Sequence, residues 1–599
     1  MPRPAPPGTM HPPAVRRSTP ARASLHIRTR ARDDAASVTT ATRASRFARV
    51  GLVLALALAA PPLAAALLAG AGLPASPATL VACWLAIALW TWRTDAEDAP
   101  LVLGWAAATV TLALASAALV FDLSFDGQTY HQLAVRRLAA GWNPVWDARA
   151  MEGESLHVFS LPKAAWLLEA MLMRATGSLE AAKGVQAVAM AAAFLLARGA
   201  LEALGVGRRA ALAAALLAAL NPVALTQLPT FYVDGLVASA LVMLASLLVL
   251  AWRTGARRWG GAAAIVAAFA VNLKFTAGVL VALVLAALLV AAAWRARPRL
   301  REAVLAVGAA AALGLAAGIN PYLTNTLAHG HPAYPARGPD AVPYVMVVHR
   351  DPTFAAQPAA LQLARSLWSR SDKDETAPPR WKLPLTVHGD ELASFDGVDT
   401  RIGGWGPLVG GALLLAWGSL LWSLRARPRR GAVLLAVSLA TVLSALVIPA
   451  GFYSRYAPQL WLASLPALLI DELAGWRSRL LAAVLALNVL LVGGVSLGAQ
   501  LVTERTHRAQ LRALAEDARG AALTYAWSEA AFPNVDLHLA AYGLEGRAVE
   551  RPGCAAPALL LKTHALLCWA DGRSPAPTPD PRARAQRLLG RQPARPAVP

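Results

Sequence analysis

The sequence predicts an all-α polytopic membrane protein with about thirteen transmembrane helices. Hydrophobic residues make up 57% of the 599 residues, and charged residues only 15%. Apolar runs of roughly 17–23 residues recur along the chain, which is the length that crosses about 30 Å of hydrocarbon. The mean hydropathy of +0.47 is also far above that of a soluble protein. These observations exclude a soluble globular enzyme.

The predicted spans are the apolar runs that short polar loops separate. They cover 51–71, 78–94, 100–121, 180–203, 209–228, 232–252, 260–273, 275–294, 303–320, 404–424, 432–451, 456–473 and 480–500. A cleaved signal peptide fits poorly, because the first apolar run begins near Gly51 and further spans follow it.

Arginines give the predicted orientation, because basic residues accumulate on the cytoplasmic side of a membrane protein. Arg43, Arg46 and Arg49 precede the first span, so we expect a cytoplasmic N terminus. Alternation then places five short, arginine-dense loops on that same side: 208–209, 253–258, 295–301, 425–430 and 477–479. The protein is therefore expected in a bacterial-type inner membrane, with its active site and C terminus extracytoplasmic.

Four regions follow from this topology. They are a disordered, basic Pro/Arg-rich tail at 1–45, a transmembrane domain at 46–500, a small extracytoplasmic domain at 501–575 and a disordered tail at 576–599. The net charge of +21 is explained by the cytoplasmic arginines and the basic tail, which suit an anionic leaflet. We therefore expect membrane lipid, and no nucleic acid, as a partner.

The predicted outer loops are 122–179 and 321–403. The first should contain a helix over Gly127–Ala140 that ends at Gly141. A second helix near 163–174 is too short to cross the bilayer and should lie along the interface. Three tryptophans suit the headgroup level; they are Trp142, Trp146 and Trp166.

The extracytoplasmic C-terminal region is expected to begin with a helix. Short alternating stretches follow, such as NVDLHL and PALLLKT, and indicate a small α/β appendage. Cys554 and Cys568 both lie in this region, where a disulfide could persist.

Asp126 is the leading candidate for catalysis. It lies just past the span 100–121, followed by Tyr130 and His131. Polar groups are costly at a membrane boundary, so their presence there indicates function. The carboxylate would suit a general base, and Tyr130, four residues further on, would lie on the same helix face with His131 adjacent. A helix N-cap is the structural alternative for Asp126, and Asp122 is the competing carboxylate.

Asp234 lies in FYVDGL at the outer end of another span. A simple helix cap is one explanation. If it is functional, Asp234 and Asp126 would face one cleft, where they could position an acceptor or bind a divalent cation. Metal dependence stays open at this stage.

Lys274 and Arg455 are the candidate cations. Lys274 is the only lysine between Lys183 and Lys373 and lies between two apolar runs. Arg455 and Tyr456, in SRYAPQL, lie at a similar boundary. Both cations suit a lipid phosphate, Lys as a point charge and Arg as a bidentate donor. Snorkelling of Lys274 and membrane anchoring by Arg455 are the alternatives.

Weaker candidates are polar residues in the same outer loops. They are Asn143, Asn320, Tyr322, His329 and His331. Two histidines two residues apart are weak evidence for a metal site. A turn around the neighbouring prolines explains them better.

These stretches together resemble the polytopic GT-C glycosyltransferases, in particular the dolichyl-phosphate-mannose-mannosyltransferase-like and RgtA/B/C/D-like bacterial group. The resemblance rests on DGQTYHQLAVRRLAAGWNP, VDGL, LK, NPYLTN and SRYAPQL, in this order between residues 100 and 475. Gly127 follows Asp126 where many members have a second acidic residue. This chain also has spans before the first motif that simpler members of the family lack.

The resemblance implies inverting transfer of a sugar from a polyprenyl-phosphate donor to a glycan, lipid or protein acceptor on the outer side. It implies that Asp126 is the base and that Tyr130 and His131 orient Asp126 or the sugar. Lys274 and Arg455 would stabilise the departing lipid phosphate. No cofactor is implied with certainty.

Other functions remain open at this stage. A transporter or flippase would place charges near mid-span, whereas the charges here gather at outer ends. A polysaccharide polymerase or ligase would use loop 321–403, including Arg337 and His349. An inactive assembly protein on the same fold is the remaining alternative.

Overall fold

The computed structural model describes residues 45–147, 155–295, 297–343, 347–527 and 532–576. The predicted disordered tails at 1–45 and 576–599 lie outside these residues, apart from Ser45 and Ala576. The structure is mostly helical, and this agrees with the class that the sequence predicts.

The helices of the first half range in length from 4 to 25 residues. They are α1 Arg46–Gly70, α2 Pro77–Thr94, α3 Ala99–Ala117, α4 Gln132–Ala139, α5 Leu156–Ser160, α6 Ala164–Thr176, α7 Leu179–Ala182, α8 Val185–Ala203, α9 Arg208–Ala219, α10 Pro222–Thr226, α11 Asp234–Thr254, α12 Arg257–Val271, α13 Phe275–Arg295 and α14 Arg297–Ala317.

The second half adds eight α-helices and four strands. They are α15 Thr324–His329, α16 Pro352–Ala355, α17 Ala359–Trp368, α18 Gly389–Ala393, α19 Val409–Ala426, α20 Pro428–Ser444, α21 Trp476–Asp517, β1 Leu523–Trp527, α22 Val535–Ala540, β2 Gly546–Ala548, β3 Ala558–Leu560 and β4 Ala565–Trp569. Two π-helical turns cover Gly127–His131 and Ile319–Leu323, and 3₁₀ turns cover Ala445–Val447 and Pro458–Leu469.

Nine helices within the described residues are long and apolar enough to cross a membrane. They are Arg46–Gly70, Ala99–Ala117, Leu179–Ala203, Asp234–Thr254, Phe275–Trp294, Arg299–Ala317, Val409–Ala426, Pro428–Val447 and Trp476–Asp517. The protein is therefore polytopic. The count of thirteen remains a prediction.

The other four predicted spans are helical but do not meet these criteria. Asn221 caps α10 through its side chain, so the predicted span 209–228 is divided between α9 and α10. The helix α12 has 15 residues, about 22 Å at 1.5 Å per residue, which is less than the hydrocarbon thickness. The span 456–473 forms a buried 3₁₀ helix. The helix α2 has 18 residues, as many as α19, so its composition and not its length excludes it.

Loops rich in arginine are joined to one another at one end of the helices, which we call the arginine-rich end. Arg49 binds Asp95 and Asp98 of the α2–α3 loop, and Arg258 binds Asp95 at 2.9 Å. Arg253 Nε donates to the carbonyl of Ala203. Further along the chain, Glu472 accepts from the backbone of Gly207 and from Arg430. The membrane side that this end faces remains a prediction.

The first outer loop differs from the prediction in one respect. A helix does form between Gly127 and Ala139, and Gly141 follows it with φ +101°. The second helix, α6, is not interfacial, because its residues Ala164–Leu172 are buried against α1, α2, α4 and α7. The predicted interfacial position was wrong, since protein interior and lipid surface both accept an apolar helix.

The predicted headgroup position also fails for two of the three tryptophans. Trp166 and Trp142 are buried, whereas Trp146 is 69% exposed. The indole of Trp166 instead donates to a buried histidine of the first loop. A polar partner in the interior therefore replaces the membrane–water boundary for this side chain.

The C-terminal region contains a four-stranded sheet with strand order β2-β1-β4-β3. Strands β1 and β2 are parallel, and the other two pairs are antiparallel. The last turns of α21 contribute Leu511 and Leu514 to its hydrophobic core. The stretch NVDLHL forms α22 rather than a strand, while PALLLKT contains β3. Cys554 and Cys568 form a disulfide.

Candidate functional site

Five charged side chains from distant parts of the chain form one cluster, which we call the Arg455 cluster. Arg455 Nε donates to Asp234 Oδ2 and Nη2 donates to Asp126 Oδ2, both at 2.9 Å. Nη1 donates to Asp399 Oδ1. Lys274 completes the cluster by pairing with Asp234 Oδ1. Four of these five residues are candidates from the sequence.

Asp126 is brought to the cluster by the π-helical turn Gly127–His131. This carboxylate makes no capping hydrogen bond with the turn that follows it, so the N-cap explanation for its side chain is wrong. The side chain is 23% exposed. Oδ2 of Asp126 accepts a hydrogen bond from Arg455, and none of the described residues donates one to Oδ1. Irregular turns of this kind are frequent at functional sites.

Asp234 is the fully buried member of the cluster. It is the first residue of α11, but both of its carboxylate oxygens have side-chain partners. Oδ1 accepts from Lys274, and Oδ2 accepts from Arg455 and from Gln227 Nε2 at 3.0 Å. A buried carboxylate requires such partners. Asp234 therefore holds the two cations in place rather than only capping a helix.

Lys274 lies in the break between α12 and α13. Its ammonium group is directed to Asp234 and lies 4.3 Å from the ring centroid of Tyr456. The side chain is 21% exposed. A snorkelling lysine would extend towards the headgroups, whereas this one points into the protein. The cation–π contact brings Tyr456 into the site as well.

Tyr130 and His131 lie beside the cluster in an aromatic group. The Tyr130 ring lies 4.3 Å from that of His131 and 4.9 Å from that of His157. Trp166 Nε1 donates to His131 Nδ1 at 2.7 Å. Burial lowers the pKa of His131 well below its ordinary value, and the positive charge of Arg455 acts in the same direction. His131 is therefore neutral at physiological pH.

Asp399 belongs to the outer loop 321–403 and was missed by the sequence analysis. Tyr453 donates to its Oδ1 at 2.8 Å and Tyr232 to its Oδ2 at 3.3 Å. Burial acts to raise the pKa of Asp399, but the positive charges of Arg455 and Arg401 lower it below its ordinary value. Asp399 is therefore ionised, and both of its oxygens are engaged.

No signal in the sequence marks Asp399. It lies in DGVDTR within a polar loop that contains several other acidic residues, so it has no contrast with its surroundings. Tyr232 could have been found, since it precedes Asp234 by two residues in FYVDGL. Its ring lies 4.3 Å from the Arg455 guanidinium, and its hydroxyl accepts from the Asp126 backbone amide.

Asp122, the competing carboxylate, is fully buried away from Arg455. Its Oδ1 accepts from the backbone amide of Ser124 at 2.9 Å, and its Oδ2 accepts from that of Phe231 at 2.8 Å. Burial raises the pKa of Asp122 to about 6. These bonds connect the first outer loop to the segment before α11, so Asp122 has a structural role.

The weaker candidates make local contacts outside the Arg455 cluster. Asn143 binds the carbonyl of Ala69, and Asn320 binds that of Pro144. The Tyr322 hydroxyl donates to the carbonyl of Val271 at 2.5 Å. These three side chains stabilise connections between helices.

The histidine candidates belong to turns. His329 pairs with Asp340 at 3.3 Å and stacks on Tyr334, while His331 Nδ1 accepts from the backbone amide of Ala333. His349 likewise accepts from the backbone amide of Asp351. None of these contacts involves the Arg455 cluster.

The donor set of the cluster does not fit a divalent cation. The carboxylates of Asp126, Asp234 and Asp399 all bind the guanidinium of Arg455, which occupies the position that a metal ion would need. Within the part of the chain that the structure describes, no three His, Cys, Asp or Glu side chains are grouped so as to hold a metal. The divalent cation suggested by the sequence therefore has no place in the mechanism below.

Two hollows are relevant to the cluster: Asp399 lines the first, and the second lies between the helices on either side of Lys274. The first, which we call the Asp399 cavity, has a volume of about 320 Å³ and is lined by the first outer loop, by residues 394–401 and by the C-terminal region. The second, which we call the apolar groove, has a volume of about 310 Å³. It lies between α12, α13 and α14 and includes Val271 and Gly278, on either side of Lys274.

A comparison with protein-family models matches residues 161–319 to the family described as dolichyl-phosphate-mannose-protein mannosyltransferase. The match confirms the resemblance to GT-C mannosyltransferases and supports a membrane glycosyltransferase of this type. It includes Asp234 and Lys274 and leaves Asp126, Asp399 and Arg455 outside. A search among curated proteins found no match.

Proposed function

We propose that this protein transfers a sugar from a polyprenyl-phosphate donor to an acceptor hydroxyl on the extracytoplasmic face, with inversion at the anomeric carbon and Asp126 as the general base. The observation that carries the proposal is the common position of Asp126 and Lys274. A proton acceptor and a phosphate-binding cation are connected through Arg455 and Asp234 in one cluster.

Asp126 is the carboxylate of the cluster best suited to accept a proton. Asp234 and Asp399 use both oxygens to bind neighbouring side chains. Asp126 uses Oδ2 for Arg455, whereas Oδ1 takes no hydrogen bond from the described residues. A base needs an accessible oxygen within hydrogen-bond reach of the proton that it removes.

Lys274 is the cation best suited to bind the donor phosphate. It directly precedes α13, and α13 lines the apolar groove with Gly278, Val281, Ala282, Leu285, Ala286 and Leu289. These positions form one helical face about 16 Å long at 1.5 Å per residue. An isoprenoid chain would pack along this face while its phosphate reaches Lys274.

The cations of the cluster would stabilise the leaving group. Arg455 has five N–H groups, and three of them bind Asp126, Asp234 and Asp399. The negative charge that develops on the leaving phosphate would be stabilised by Lys274 and by the remaining N–H groups of Arg455.

The reaction then consists of a single displacement. The acceptor oxygen forms a bond to the anomeric carbon as the bond from that carbon to the phosphate oxygen breaks. The acceptor proton passes to Asp126, and polyprenyl phosphate leaves with the bonding electrons. Tyr130 and the neutral His131 orient Asp126 or the sugar. Attack from the face opposite the phosphate gives inversion.

The proposed outer location has two supports. Asp126 and Lys274 lie in the loops that follow α3 and α12, while Asp95, Asp98 and Arg258 of the arginine-rich end lie at the other ends of these two helices. Cytoplasmic loops carry an excess of basic residues. In addition, a disulfide joins Cys554 to Cys568, and disulfides persist mainly outside the cytoplasm.

The decisive experiment is a transfer assay on the purified protein in lipid, with a panel of polyprenyl-phosphate sugars. We expect Asp126→Asn to reduce kcat by roughly 10²–10⁴, the contribution typical of a general base, because an amide cannot accept the proton. Asp340→Asn is the matched control, since this carboxylate is 58% exposed in another outer loop. NMR of the product would report the anomeric configuration.

Full activity of Asp126→Asn with a folded protein would overturn the role of Asp126 as base. A product that retains the donor configuration would overturn the single displacement.

A further inference from the structure

The Asp399 cavity includes one member of the Arg455 cluster, Asp399, in its lining, and shares no lining residue with the apolar groove. It is lined by Phe121–Phe125 of the first outer loop and by Asp396–Asp399 of the second. Phe532, Lys562 and His564 of the C-terminal region complete it. Three parts of the chain that are distant in sequence therefore form one hollow, whose volume of about 320 Å³ lies at the lower end of the range for small-molecule sites.

Two connections join this cavity to the proposed base. Phe125 lines the cavity and is the residue directly before Asp126. Asp399 lines it as well, and binds the same arginine that Asp126 binds. A molecule in the cavity would therefore lie next to the reacting groups without occupying the apolar groove.

An aromatic surface is available in the cavity. Phe125 is 51% exposed, although exposure of a large apolar side chain next to a buried core is unfavourable. Its ring meets those of Phe532 and His564 at 83° and 89°, with centroid distances of 5.6 and 6.4 Å. These contacts hold the ring in one orientation. A ring fixed in this way offers a flat apolar surface to a ligand.

The charged groups of the cavity are balanced. Lys373, Arg401 and Lys562 are matched in number by Asp122, Asp396 and Asp399. Lys373 pairs with Asp396 at 2.7 Å, so two opposite charges meet within the lining. A strongly anionic or cationic ligand would gain little from such a lining, whereas a neutral molecule with several hydroxyl groups would find both donors and acceptors.

We infer that the Asp399 cavity is the acceptor site and that it takes a neutral sugar, whose ring packs on Phe125 and whose hydroxyl groups bind Asp396 and Asp399. A sugar ring combines an apolar C–H face with a polar rim, and the cavity offers a matching surface for each. This inference deepens the proposed function and rests on it. The C-terminal region then forms part of the acceptor site.

The first test is donor-free binding to the full-length protein in nanodiscs, measured by saturation-transfer NMR. The probes are methyl α-mannoside, methyl β-glucoside and methyl β-galactoside, with methyl β-glucuronide as the charged comparison. We expect saturation transfer to at least one neutral glycoside and a weaker signal from the glucuronide. Phe125→Ala should abolish the signal, and Phe125→Trp should retain it.

Phe47→Ala is the matched control, because Phe47 is 43% exposed and contacts Arg198 near the arginine-rich end. Equal signals from Phe125→Ala and the wild type would overturn the inference. A stronger signal from the glucuronide than from every neutral glycoside would also overturn it.

The second test separates this inference from the proposed function. In the transfer assay, Phe125→Ala should raise the acceptor KM about tenfold and change kcat by less, with recovery in Phe125→Trp. An unaltered acceptor KM with an active wild type would overturn the acceptor site alone. No transfer by the wild type, together with Phe125-dependent glycoside binding, would overturn the proposed function and leave the cavity as a sugar-binding site.

Discussion

The Arg455 cluster and the arginine-rich end are both built from ion pairs between basic side chains and aspartates, but the two regions differ in how these aspartates are bound. At the arginine-rich end, Asp95 and Asp98 are bound by Arg46, Arg49 and Arg258, so cations outnumber carboxylates. In the Arg455 cluster, three carboxylates face Arg455 and Lys274. At the arginine-rich end, both carboxylate oxygens of Asp95 and of Asp98 have arginine partners. In the Arg455 cluster, Oδ1 of Asp126 accepts no hydrogen bond from the described residues.

The surroundings of the two regions differ as well. The cations of the Arg455 cluster contact the rings of Tyr232, Tyr453 and Tyr456, and Asp399 lines a cavity. At the arginine-rich end Arg46 is 65% exposed, whereas Arg49 and Arg258 are 15% and 25% exposed, so burial alone does not separate the two regions. Ion pairs therefore do not identify a site by themselves. A carboxylate oxygen with no partner among the described residues, the surrounding aromatic rings and an adjacent cavity distinguish the Arg455 cluster from the arginine-rich end.

The largest expected effect comes from the centre of the cluster. Arg455→Met should abolish measurable transfer and destabilise the protein by about 3–5 kcal/mol, because it leaves buried carboxylates without a partner. Arg455→Lys should recover stability in part but reduce kcat by at least about 10²-fold, since one ammonium group cannot bind three carboxylates in a fixed geometry. Thermal unfolding and the transfer assay would measure the two effects. Wild-type kinetics in Arg455→Lys would show that the guanidinium fork is dispensable.

A smaller effect is expected at Lys274. Lys274→Met should raise the donor KM roughly 10–100-fold, because a hydrogen bond to a charged group contributes about 1.5–3 kcal/mol. Lys274→Arg keeps the charge and should be affected less. Initial rates over a range of donor concentrations would measure KM, and the acceptor KM provides an internal control. A selective rise in acceptor KM would assign Lys274 to the wrong substrate.

The smallest effect should come from the arginine-rich end. Arg46 pairs with Asp98 at 2.9 Å but is 65% exposed. Arg46→Met should lower stability by no more than about 1 kcal/mol, since solvent screens such pairs, and should leave both KM values unaltered. Thermal unfolding and the same rate measurements apply. A loss of transfer comparable to that of Lys274→Met would remove the distinction between the two regions.

The sequence could indicate those site residues whose charge stands next to an apolar run. Asp126, Asp234, Lys274 and Arg455 each lie at the end of an apolar run, where a charge is costly and therefore noticeable. Asp399 lies in a polar loop, where one more carboxylate costs nothing. The interfacial position predicted for α6 failed for a related reason, because apolar residues suit lipid and protein interior equally.

The sequence by itself determined that this chain is a polytopic helical membrane protein, and it indicated four charged residues of one cluster. Periodic apolar runs and isolated charges are local properties, so they can be read without knowledge of contacts. Only the tertiary structure decided that Arg455 binds three aspartates, that Asp399 joins them and that α6 is buried. These features depend on contacts between residues as far apart as Asp126 and Arg455, and such contacts leave no trace in local composition.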